Sequence, residues 1–216
     1  PHEVQSAISL CGVVAAPMLR AEEGLDFMGQ MLQLSLGGID TNDPMKTMYT
    51  LNLFNALLSN MPLADPKDLP QASSKPEMLY QMQDWVSEVL ERVFQLLQNV
   101  PPMKKGNPLR GHVQPLLRRF LDILLCQLSP SLYAAALDKI ARKTNEMFYP
   151  PAKEFVGYLL DAAVLASPAQ ALAKLVPVLV RRIVAGGGVL AGSESEVAYF
   201  THLLGHAVVR GGDALQ

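Results

Sequence analysis

The chain has almost no cysteine and little net charge, and each shortage removes a class of protein. Two cysteines in 216 residues, Cys11 and Cys126, cannot supply the disulfide framework of a small secreted scaffold. Both sit in apolar helical patterns and read as buried thiols in a reducing compartment, with a Cys11–Cys126 disulfide as the less favoured alternative. A formal net charge of −2 argues against an extended nucleic-acid surface and leaves only local basic pairs, Arg118-Arg119 and Arg181-Arg182. No uncharged run reaches the ~20 residues that cross a bilayer. The stretch 4–19 comes nearest, but it contains Ser6, Ser9 and Pro17 and lacks the basic leader of a signal peptide. Neither nucleic acid nor membrane is therefore an expected partner. A phosphate-cradling loop is missing too, since Gly186-Gly187-Gly188 is followed by valine rather than by the sequence leading to a lysine. Ser9, Ser35 and the other serines lack the setting of a nucleophile elbow. No cofactor is implied.

Half of the residues are hydrophobic while only 6% are aromatic, a balance that favours packed helices over a sheet sandwich. The apolar spacing agrees. Val4, Ile8, Cys11 and Ala15 share a helical stripe over 4–16, Pro17 breaks or kinks that run, and Leu25, Met28, Leu32 and Leu36 mark a second helix over 22–36. Val86, Val89, Leu90, Val93, Leu97 and Val100 give the clearest amphipathic helix, over 84–99, with Ser87, Glu88, Glu91, Gln95 and Gln98 opposite. Further helices are expected over 114–127, from Pro130, over 153–165, from Pro168 and over 193–210, the last ending before Gly211-Gly212. In the Pro130 helix Tyr133, Leu137, Ile140, Thr144 and Met147 form the inner face, and Asp138, Lys139, Arg142 and Lys143 the outer. Pro177 lies inside the Pro168 helix and should bend it. Exposed loops are expected at 62–76 and 101–111, the second carrying the basic pair Lys104-Lys105, read as a solvated connection. About nine helices at this spacing suit helix pairs of the ~40–47-residue HEAT or armadillo period. The expectation is an all-α solenoid, one segment over 1–216 cut from a longer chain.

The most specific stretch joins the second and third helices. In Gly37-Gly38-Ile39-Asp40-Thr41-Asn42-Asp43-Pro44 a glycine can close one helix in the left-handed conformation, and Asp43 can cap the next with Pro44 at its first position. Asp40 can meet Lys46 across the turn. The helix that follows carries Leu51, Phe54, Leu58 and Met61 on one stripe and Asn52, Asn55 and Ser59 on a narrower polar one, and it wants neighbours on more than one side. Met61-Pro62 ends it.

Gly38, Ile39, Asp40, Asn42, Asp43, Lys46 and Thr47, with Phe54, Pro62 and Asp65 behind them, resemble the central region of the large HEAT-repeat proteasome activator family. The resemblance continues through Trp85–Arg92 and from Leu128 to Leu179, and departs from the family at Ala64, where a valine is expected, and in the connections 66–76 and 101–112. It implies a non-enzymatic scaffold. Members of that family form a dome over the proteasome core particle in nucleus and cytoplasm, open its gate without ATP hydrolysis, and insert a C-terminal tyrosine-containing motif between core subunits. That motif is not in this sequence, and no motif here matches the family's acetyl-lysine or inositol-phosphate sites. A generic HEAT or armadillo adaptor fits the periodicity equally and the junction less well.

His202 and His206 stand four apart on a predicted helix, a spacing that can place two imidazoles on one zinc. Leu203 follows His202, so the metalloprotease glutamate is missing, and no third ligand is near in sequence. The reading is a polar edge on a packed helix with no metal, and a helical hydrolase is the disfavoured alternative.

Overall fold

A computed structural model describes residues 2–21, 23–68, 76–100, 109–186 and 193–214. Among them lie nine α-helices: α1 (His2–Met18), α2 (Gly24–Ser35), α3 (Pro44–Leu58), α4 (Pro76–Gln98), α5 (Gln114–Cys126), α6 (Pro130–Glu146), α7 (Lys153–Ala166), α8 (Pro168–Gly186) and α9 (Ser193–Ala214). The odd-numbered helices pack in series, α1 on α3, α3 on α5, α5 on α7 and α7 on α9. The even-numbered helices do the same, α2 on α4, α4 on α6 and α6 on α8. Two helical layers thus sandwich one continuous apolar core running from Ala15 through Phe54, Trp85, Phe120 and Leu160 to Phe200. This is an α-solenoid: each helix covers its neighbour along the layer and its opposite number across it. No described helix is long and apolar enough to cross a membrane.

The inner stripes are those expected from spacing. Leu51, Phe54, Leu58 and Met61 are buried, as are the six apolar residues named along α4, Val100 lying just past its end, and the five named along α6, Met147 being its C-cap. Stripes classed as polar fare differently. Asn55 is buried because α3 has α5 beside it, and its Nδ2 donates to the Leu116 carbonyl at 3.3 Å. Lys139 and Lys143 on the outer face of α6 are half-buried, because they reach α4 rather than water. Amphipathic counting assumes one buried side, and an interior solenoid helix has more than one.

Several boundaries move for identifiable reasons. The second helix is one turn of 3₁₀ helix, Leu36–Gly38, longer than α2, and neither Gly37 nor Gly38 is left-handed. α4 opens at Pro76 rather than at Asp84, since a proline in the first turn starts a helix as well as an aspartate cap does. α9 runs through Gly211 and Gly212 to Ala214. A Cβ on Gly211 would stand 2.7 Å from Leu172 Cδ1, so this glycine admits α8 rather than ending α9. Pro177 lies inside α8 on its exposed side, and Ala173, whose carbonyl loses its amide partner to the proline, is exposed as well. Both cysteines are free; Cys11 is half-buried, and Cys126, expected to be buried, is exposed at the last residue of α5.

Of the connection 62–76, residues 69–75 lie outside the described residues, as do 101–108 of the second connection, including Lys104-Lys105. The described part of the first is strapped down. Leu63 N–H donates to the Gln127 carbonyl at 2.9 Å, and Ser129 N–H donates to the Leu63 carbonyl at 2.8 Å. At the far end of the second connection Leu109–Val113 form a π-helical turn leading into α5.

Candidate functional site

The ten residues that carry the family resemblance build a junction rather than a cleft. Gly38 lies against α3 so closely that a Cβ would meet Thr50 Oγ1 at 1.9 Å. Ile39 enters the core. The next residues tie the turn to the first turn of α3. Thr47, with no solvent exposure, donates its hydroxyl to the Asp40 carbonyl at 2.7 Å and accepts from the Asp40 N–H at 2.9 Å. Asp40 Oδ1 accepts from the Asn42 N–H at 2.9 Å, and its Oδ2 lies 3.7 Å from Lys46 Nζ. Asp43 Oδ1 accepts from the Lys46 N–H at 2.9 Å, the cap expected ahead of Pro44.

Phe54 carries the junction inward. Its ring meets Trp85 of α4 edge-on at 5.4 Å and Phe120 of α5 at 5.6 Å, while Trp85 Nε1–H donates to the Leu32 carbonyl of α2 at 3.1 Å. One aromatic cluster therefore joins four helices across both layers. Pro62 is exposed, but Asp65 is buried in the strap. Asp65 N–H donates to Ser129 Oγ at 2.9 Å, and Asp65 Oδ1 accepts from the Lys67 N–H at 2.9 Å.

Ser129 does not cap α6 as Asp43 caps α3. Its hydroxyl is turned to Asp65, and the orphan Ser131 N–H of α6 donates instead to Asp68 Oδ2 at 2.9 Å, with Ser131 Oγ–H donating to Asp68 Oδ1 at 2.7 Å. A hydrogen bond from the Ser129 side chain, followed by those from the Ser131 N–H and hydroxyl, holds the Asp68 carboxyl below the ordinary carboxylate range. Local spacing marks Ser129, which precedes Pro130 as Asp43 precedes Pro44, as the start signal of this helix, but the carboxylate that serves the helix is Asp68, more than sixty residues away in the chain.

Beyond the strap, Glu91 of α4 lies 3.3 Å from Lys139 and 2.8 Å from Lys143 of α6, and Lys139 Nζ also donates to the Ser87 carbonyl at 2.6 Å. The Lys143 hydrogen bond is the main reason the Glu91 carboxyl sits below its usual range. At the α7–α9 contact the fold supplies what local sequence lacked. Glu154, Gly157 and Asp161 share one face of α7, and His202 and His206 of α9 lie on it. His202 Nε2 is 3.4 Å from Glu154 Oε1, and His206 Nδ1 is 3.1 Å from both oxygens of Asp161. Burial pushes the His202 imidazole below its ordinary value, helped by the charge of Lys153.

Paired helices in two layers, joined by polar turns whose groups are taken up within the chain, make this a HEAT-type α-solenoid. The sequence profile of the proteasome activator complex subunit 4, mid HEAT repeats region, matches residues 1–82 and 77–195. The chain belongs to that family. A relative from Arabidopsis thaliana, proteasome activator subunit 4, is 35% identical over 162 residues, covering 70% of this chain and 9% of the relative. The chain thus spans less than a tenth of the length of the relative it matches. The two matched segments overlap over residues 77–82, at the start of α4, and the first of them runs through the connection 66–76. The match ends early in α9, ahead of His202 and His206.

Proposed function

We propose that this chain is a stretch of non-enzymatic wall in an activator that caps the proteasome core particle and opens its gate without ATP hydrolysis, working in nucleus and cytoplasm. The observation that carries this reading is the family membership, read together with a signature whose groups are engaged in structure. Asp40, Asp43, Thr47 and Asp65 all direct their hydrogen bonds to the chain itself. Residues used this way fix the angle between successive repeats, and in a solenoid that angle sets the curvature of the whole surface. A dome needs such joints. The segment's role is then geometric, and contact with the core particle is made by the assembled protein.

The test uses the full-length protein. It is mixed with purified proteasome core particle without ATP and followed on a native gel with in-gel peptide hydrolysis. Co-migration with raised hydrolysis is the expected result. A well-folded protein that neither co-migrates nor stimulates at micromolar concentrations of both overturns the activator reading and favours a generic HEAT adaptor.

A further inference from the structure

The α7–α9 contact contains an arrangement that a packing seam does not require. Glu154, His202 and His206 each bring a ligand atom to within 4.8 Å of the others. His202 Nε2 is shut off from solvent and makes no hydrogen bond, although Glu154 Oε1 stands 3.4 Å away. Two ligand atoms on a tetrahedral zinc, each at ~2.0–2.1 Å, are ~3.3 Å apart. The His202–Glu154 separation therefore already has the length of one edge of a zinc tetrahedron, at a ring nitrogen that makes no hydrogen bond.

His206 is set up in a complementary way. Its Nδ1 approaches both Asp161 oxygens at 3.1 Å, a contact that places the proton on Nδ1. In the neutral ring Nε2 is then the lone-pair nitrogen. A carboxylate holding the far nitrogen of a ligating histidine fixes the ring and raises its basicity. Gly157 makes room for this ring, since a Cβ there would stand 2.8 Å from His206 Nε2. The rings of His202 and His206 lie 4.8 Å apart, beside a groove of ≈400 Å³ lined in part by Gly205 and Val209 that leaves an approach for the ion and its water. Glu154 and Asp161 bring two negative charges to the site, with Lys153 beside His202 and Arg210 on the wall of the groove as the neighbouring cations.

We propose that Glu154, His202 and His206 form a divalent transition-metal site of the zinc type, with Asp161 as the positioning residue of His206 and a water in the fourth place. The site pins α9 to α7, one repeat to the next. Its role is structural: a metal clasp across a solenoid seam. The groups come from two helices, so folding assembles the site and the metal in turn stabilises the fold.

Equilibrium dialysis of the full, tag-free chain against zinc, after chelator treatment, tests this directly. The expected result is saturable uptake of one zinc per chain at low-micromolar free metal, lost in the His202→Ala/His206→Ala variant and weakened ~10–100-fold in Asp161→Asn. Zinc should also raise the thermal midpoint of the unmodified chain and not that of the double variant. Should the variants fail to fold, cobalt on the unmodified chain is the second readout, with the intense visible bands of a four-coordinate ion expected. Absence of saturable uptake, uptake unchanged in the double variant, or only the weak bands of six-coordinate cobalt overturns the proposal.

Discussion

Thr47 shows how much one hydroxyl can hold. It gives a proton to the Asp40 carbonyl and takes one from the Asp40 N–H, so it replaces the two backbone bonds a sheet neighbour would supply. Thr47→Val keeps the shape and strands the part-buried Asp40 N–H, while the Asp40 carbonyl retains its bond from the Asp43 N–H at 3.3 Å. The expected loss is about 1–3 kcal/mol at most, read as a lower urea midpoint with an unchanged slope. Gly38→Ala tests the same joint by volume. Its Cβ would collide with Thr50 Oγ1, so overpacking should cost about 1–3 kcal/mol, and adding Thr50→Ala should restore part of it in the same titration. Residues like Asp43 were legible in sequence, because a cap and the amide it serves are three positions apart. Glu154 was not legible as the neighbour of His202, because the two lie on different repeats and no local spacing connects them.

Between elements, α4 and α6 are latched by one carboxylate. Glu91 faces Lys139 and Lys143 from α6, with Ser87 a turn away on its own helix. Because these partners lower its folded-state pKa beneath the ordinary value of 4.5, the ionised group contributes stability above that value. The contribution fades as pH falls through the folded pKa. Glu91→Gln should therefore destabilise at pH 7 by about 1 kcal/mol or less, the side chain being partly exposed and screened, and the difference should vanish in strong acid. Urea midpoints of both proteins measured across pH check this; a difference that persists at the acid end would mean that packing, not charge, is at stake. Helix existence and inner faces were readable because apolar spacing is local. Asn55, Lys139 and Asp68 were misread as solvated or passed over, because their partners belong to neighbouring repeats that no helical period reveals.

Across the whole molecule, stability should follow the series of contacts rather than a single centre. Each helix packs on its layer neighbours, so a lesion weakens adjacent repeats first and distant ones last, as in a chain of nearest-neighbour couplings. Val93, at no solvent exposure in the middle of α4, is a site to apply one. Val93→Asp buries an unpaired carboxyl, a cost of several kcal/mol, on the order of ~2–7 for a polar group without a partner. Hydrogen exchange should then quicken in α4 and in its neighbours α2, α3 and α6, while α9, at the far end of the series, keeps its protection. Uniform loss of protection would instead describe one cooperative domain. α1 exposes Leu10 and Val13, and α8 and α9 expose Val184 and Val209, apolar faces of the kind that interior helices cover with the next repeat. A graded response to Val93→Asp would mean that each such face is stabilised by what lies beside it, so the curvature set at the Asp40–Thr47 joint is passed along the array step by step.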